Sequence, residues 1–225
     1  MKKKNRRNLY TSLFMFVAFV LWTIAVLFVD VKAIGPYGSS VGFASINDII
    51  HKLTGVNMPL YHITDWLGIV PILVAFGFAL LGLIQWIRRK KLSKVDYSIF
   101  ILGGFYIAVM AVYILFETVT VNYRPVLVGT ILETSYPSST TLLVLCVMPT
   151  TIMQLNSRIK NITLKKWLSR LIIVFIVFMV IGRLVSGVHW FTDIVGGALL
   201  SAGLVMMYRY FVNLKENNER NFKNG

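Results

Sequence analysis

Cysteine is nearly absent: Cys146 stands alone in an apolar run, which excludes a disulfide framework and a multi-cysteine metal site. Acidic residues are scarce too, nine against 23 lysines and arginines in a chain of 225. Short alternating apolar and polar segments are missing, so a closed transmembrane barrel is not indicated. Internal repeats, low-complexity tracts and domain boundaries are also missing, and residues 1–225 read as one membrane domain. What is present is hydrophobic. Of all residues 56% are apolar, more than the polar exterior of a soluble domain allows. The net charge of +14 lies in short blocks between apolar runs, a pattern of membrane topology and not of a nucleic-acid partner.

Crossing a bilayer takes about 20 apolar residues. Six stretches meet or approach that length, at Leu9–Val29, Trp66–Ile87, Tyr97–Phe116, Ser139–Asn156, Trp167–Gly187 and Trp190–Val212. The fold class expected is therefore an all-α integral membrane bundle. The first run exceeds a signal-peptide core and no small-x-small cleavage site follows Val29, so it reads as a retained span. The fourth carries Pro149, and the neighbouring Thr150 and Thr151 offer hydroxyls to the backbone groups a proline frees. Trp66, Trp86, Trp167 and Trp190 fall at span ends, where indole anchors at the lipid interface.

Basic residues alternate between the two sides of such a bundle. One side collects Lys2, Lys3, Lys4, Arg6 and Arg7; Arg88, Arg89, Lys90, Lys91 and Lys94; Arg158, Lys160, Lys165, Lys166 and Arg170; and Arg209, Lys215, Arg220 and Lys223. Only Lys32, Lys52, Arg124 and Arg183 fall on the other. This asymmetry predicts both termini in the cytoplasm of a cell-membrane protein. The long outer link, Val31 to Asp65, carries Ile46, Ile49, Ile50 and Leu53 at helical spacing. It reads equally as a helix on the membrane surface or as a plain connector. His51 and His62 within it lack a carboxylate at ligand spacing and read as solvated.

Ionisable side chains near a bilayer are costly and mark function. Arg183 ends the fifth span, while His189 and Asp193 open the sixth, four apart on one helix face. There the carboxylate can orient the imidazole as base or nucleophile, and Arg183 can fork onto an anion. On the same outer side lie Arg124-Pro125 and Pro137-Ser138-Ser139. The latter reads as a helix start whose free amides suit a phosphate, or as an ordinary N-cap.

These pieces resemble the type 2 phosphatidic acid phosphatase superfamily, the six-span lipid phosphate phosphatases related to vanadium haloperoxidases. Its motifs are Lys-x6-Arg-Pro, Pro-Ser-Gly-His and Ser-Arg-x5-His-x3-Asp. The third is present as Arg183-x5-His189-x3-Asp193, with Gly182 where serine is usual. Arg124-Pro125 matches the end of the first and Pro137-Ser138 the start of the second. The resemblance implies a phosphohistidine on His189, oriented by Asp193. It implies a phosphate held by Arg124, Arg183, Ser138 and the region of Ser139, with no metal or other cofactor. The substrate implied is a lipid phosphate or polyprenyl pyrophosphate drawn from the outer leaflet.

Two positions depart from the pattern. Glu117 stands where the family has lysine and repels a phosphate. Thr140 stands where the family has its acid histidine, and a hydroxyl is too weak an acid for that role. Three explanations stay open: a pyrophosphate whose leaving group needs no acid; Glu117 as substitute acid; or altered chemistry, leaving a non-hydrolytic lipid-phosphate binder or transporter, or a phosphotransferase. Span interiors are almost wholly apolar, which favours an enzyme site at one face over a transport path.

Overall fold

The computed structural model describes the backbone of residues 2–223 and the side chains of residues 5–214. Among the charges counted above, Lys2, Lys3, Lys4, Lys215, Arg220 and Lys223 lie outside the described side chains. Among the described residues eight α-helices follow in order: α1 (Lys2–Phe28), α2 (Ala44–Thr54), α3 (Met58–Leu67), α4 (Ile69–Arg89), α5 (Tyr97–Thr118), α6 (Ser139–Arg158), α7 (Ile162–Val185) and α8 (Phe191–Lys223). Among the described residues there is no strand, only isolated bridges. Six helical runs are long and apolar enough to cross a membrane, as expected.

The second span differs from its expected start. It runs from Met58 to Arg89 because α3 continues into α4 through Gly68, whose backbone is helical. Asn57 caps α3 by accepting from the Leu60 amide, and Pro59 follows in the first turn. The end of the expected outer link, from Met58 to Asp65, is thus helical, and it buries Tyr61 and Thr64 in the bundle with the exposed Asp65 beside them.

Burial is concentrated in α6 and α8, which form the centre, while α1, α4, α5 and α7 surround them and present apolar faces outward. The α1–α8 contact is the most extensive. It is close because Gly203 leaves room for the ring of Phe16, and Ser12 donates to the Gly203 carbonyl at 2.8 Å. Pro149 sits inside α6, where its missing N–H frees the carbonyl of Leu145. The threonine hydroxyls bond elsewhere: Thr150 reaches Cys146 and Val147 O, and Thr151 reaches Val147 O.

The outer link contains a helix, α2, where the isoleucine spacing placed one. Ile46, Ile49 and Leu53 are exposed along one face, as a surface helix requires. The opposite face is fastened to α8: Asn47 donates to Thr192 Oγ1 at 3.0 Å and accepts from the Thr192 amide at 3.2 Å. His62 is exposed, but His51 is not a free solvated ring. It hydrogen bonds with Gly187 O at 3.1 Å and packs against Trp190 with ring centres 5.4 Å apart. Trp66, Trp86 and Trp167 are exposed on the outside of the bundle. Trp190 departs from the interfacial role expected of it, being 3% exposed with its indole N–H donating to Tyr123 O at 2.7 Å.

Candidate active site

The C-terminal end of α7, the start of α8, the face of α3 and the α5–α6 link meet at one end of the bundle. That link folds back on itself as an irregular hairpin, with Tyr123 bridging Thr134. Within it the Arg124 amide donates to Glu133 O at 3.0 Å, and the Ser135 amide to Asn122 O at 2.9 Å. The pairing carries Arg124 and Ser135 to the same cluster from positions eleven residues apart.

Arg183 is 1% exposed, and its guanidinium lies over the Tyr61 ring at 4.9 Å. Its Nη2 is 3.2 Å from His189 Nε2, and its Nη1 is 3.4 Å from Asp65 Oδ1 and 3.5 Å from Thr64 Oγ1. Arg124 stands over the same Tyr61 ring at 5.8 Å, and its Nε is 3.0 Å from Glu133 Oε2. That ion pair is not aligned as a hydrogen bond. Arg124 Nε and Nη1 and Arg183 Nε are buried without a hydrogen-bond partner among the described residues. Unsatisfied guanidinium donors are expensive away from water, so the arrangement suits an arriving anion. Arg124 does not touch His189. Both guanidinium groups nevertheless lie close enough to disfavour a second positive charge on the ring.

His189 is 3% exposed, and burial pushes its pKa down to about 4, opposed by the nearby Asp193 carboxylate and reinforced by the two arginines. The ring is therefore neutral at physiological pH, with a lone pair available. Asp193 is fully buried and lies one turn on, as the spacing required, but its Oδ2 is 3.8 Å from Nδ1, too far for a direct hydrogen bond. Ser135 stands between them, bonded to Oδ2 and 3.1 Å from Nδ1. Asp193 also accepts from the Trp190 amide at 2.9 Å and from Asn122 Nδ2 at 3.4 Å.

Ser138 precedes α6 but makes no capping bond to the helix backbone. Its Oγ accepts from Thr141 at 3.0 Å, and its amide donates to Asp193 O at 3.1 Å. Ser139, Glu117, Ser135 and His189 line one narrow crevice together with Tyr113 and Tyr136. Thr140 is buried and its methyl faces Gly68 at the α3–α4 junction, away from that crevice.

Sequence reading missed Tyr61, Asp65, Ser135, Asn122 and the inward turn of Trp190. The spacing of Tyr61, Thr64 and Asp65 is that of one helix face, a signal that reading the segment as a link concealed. Ser135 and Asn122 had no local signal, because a hairpin brings them together.

Fold and site together define a multi-pass, all-helical membrane protein with a buried histidine–arginine centre at one end of its bundle. Residues 116–216, which hold all three motifs, match the sequence model of the PAP2 superfamily. The resemblance drawn from the motifs thus holds over that stretch. The fold is similar to that of a crystal structure described as the first transmembrane PAP2 type phosphatidylglycerolphosphate phosphatase from Bacillus subtilis. That chain is 19% identical, with a TM-score of 0.59 covering 91% of this chain and 96% of the other. Among curated protein sequences none matches.

Proposed function

We propose that this protein is a membrane phosphatase that hydrolyses a lipid phosphate or polyprenyl pyrophosphate at the extracytoplasmic face. The observation that carries the reading is the set of buried, unsatisfied N–H groups on Arg124 and Arg183, the latter with its Nη2 3.2 Å from His189 Nε2. The sparsely basic side of the bundle, which includes Arg124 and Arg183, supports an outward-facing site.

A phosphate monoester would enter with its oxygens on Arg124 and Arg183. The Nε2 lone pair attacks phosphorus, the bond from phosphorus to the leaving oxygen breaks, and a phosphohistidine forms. The Asp193 carboxylate offsets the positive charge this puts on the ring. Water then attacks phosphorus, the P–N bond breaks with its electron pair returning to Nε2, and inorganic phosphate leaves. An alkoxide leaving group needs a proton, and Glu117 in the His189 crevice is the acid within the site. A pyrophosphate departs as a phosphate anion and needs none, which favours polyprenyl pyrophosphate over phosphatidic acid or phosphatidylglycerophosphate.

The purified protein should release phosphate from at least one of these three lipids in the presence of chelator, and His189→Ala should reduce release to background. Glu117→Gln should slow alkyl phosphates by on the order of 100-fold while sparing the pyrophosphate. Undiminished turnover by His189→Ala removes the nucleophile, and equal loss on all substrates removes the acid role of Glu117.

A further inference from the structure

We propose that Ser135 is a positioning residue whose hydroxyl links Asp193 to His189 and holds the imidazole as its Nδ1–H tautomer. The lone pair is thereby left on Nε2, facing the arginines. This inference rests on the phosphatase reading and adds a residue to its machinery.

Hydrogen-bond accounting dictates the direction of the relay. Ionised Asp193 can only accept, and Arg183 can only donate. Ser135 has one proton, and its bond to Asp193 Oδ2 uses it. The serine oxygen is then an acceptor toward Nδ1 at 3.1 Å, so Nδ1 carries the ring proton. Nε2 must consequently be bare, which is what the Arg183 Nη2 donor at 3.2 Å requires. Donors thus run without conflict from Nδ1 through Ser135 to Asp193, and from Arg183 into Nε2. The opposite tautomer fails at both ends. Nε2–H would face an N–H of Arg183, and Nδ1 would compete with Asp193 for a single serine proton.

Direct contact cannot replace the relay, because 3.8 Å separates Nδ1 from Asp193 Oδ2. The intermediary is also fixed in place. Ser135 is 3% exposed, its amide is held by Asn122 O at 2.9 Å, and the side chain of Tyr136 beside it is buried. Asp193 is anchored from its other sides by the Trp190 amide and Asn122 Nδ2. A hydroxyl between two anchored groups determines which ring nitrogen reacts.

The experiment pairs kinetics with ring-nitrogen NMR on the full chain labelled with 15N-histidine, which has only three histidines to assign. Wild type should show His189 as Nδ1–H at neutral pH. Ser135→Ala should mix the tautomers and lower kcat by roughly 10- to 100-fold, the loss typical when the partner orienting a ligating histidine is removed. KM on the best substrate of the three-lipid screen should change little, and Ser135→Thr, which keeps the hydroxyl, should restore both signals. An Nε2–H ring in wild type, or unchanged tautomer and kcat in Ser135→Ala, overturns the relay. Wild type that hydrolyses none of the lipids, yet shows the tautomer change in Ser135→Ala, refutes the phosphatase reading and leaves the relay standing. If Ser135→Ala does not fold, the wild-type tautomer alone decides.

Discussion

A buried imidazole next to two guanidinium groups resists protonation, and this sets a pH dependence of stability and, on the proposed mechanism, the acid limit of the reaction. The folded His189 pKa is lowered to about 4 from an ordinary 6.5, first by burial and then by Arg183 and Arg124. As pH falls below 6.5 the unfolded ring takes up a proton that the folded one refuses until about 4. The group's stabilising contribution is complete above 6.5 and is lost across that window. On the proposed mechanism, the attacking ring stays neutral down to the same value. The acid limb of kcat/KM should therefore lie near 4, and a limb near 6.5 would show a ring open to water. At this scale the sequence was most legible where one helical turn joined the groups: Arg183, His189 and Asp193 declared themselves by spacing. The hydroxyl between two of them did not, because Ser135 arrives from a link paired across a hairpin.

Helix junctions decide whether those groups meet. The α7–α8 link passes so close to the α2–α3 link that a Cβ on Gly187 would stand 1.9 Å from Gly55 O. Gly187 also has φ of +67°, which side chains rarely adopt. Gly187→Ala should lower stability by on the order of 1–3 kcal/mol, read as a drop in thermal midpoint in detergent. It should reduce activity further than the lost folded fraction explains, because the residue stands two positions before His189. An unchanged midpoint would mean that the two links do not touch. The spans themselves were legible from hydropathy and charge blocks. The early start of the second span was not, since α3 is moderately polar and its continuation through Gly68 depends on packing against α6 and α7.

The whole molecule places a soft outer layer of helices around a firm α6–α8 centre, with the reactive groups at one end of that centre. Among the described residues, the basic blocks that follow α4 and α6 lie at the end opposite the site. At that far end Asp96 gathers Arg89, Gln85 and Arg158, tying α4, α5 and α6 together. Burial works against its charge, but these partners outweigh it and hold the carboxyl below its usual range. The far end is thereby stapled. The end carrying the site is instead braced by α2, a helix lying flat with its apolar residues exposed.

That brace connects an exposed apolar helix face to the surroundings of His189. His51 on α2 hydrogen bonds with the Gly187 carbonyl and packs on Trp190, so the helix that exposes Ile49 and Leu53 is joined through one ring to residues on both sides of His189. Turnover in vesicles should change with acyl-chain length at constant substrate fraction, and Leu53→Ser should flatten that dependence while leaving the rate in detergent intact. Identical chain-length profiles for the two proteins would show that the surface helix is mere scaffolding. Distinct profiles would tie the surroundings of α2 to the geometry around His189.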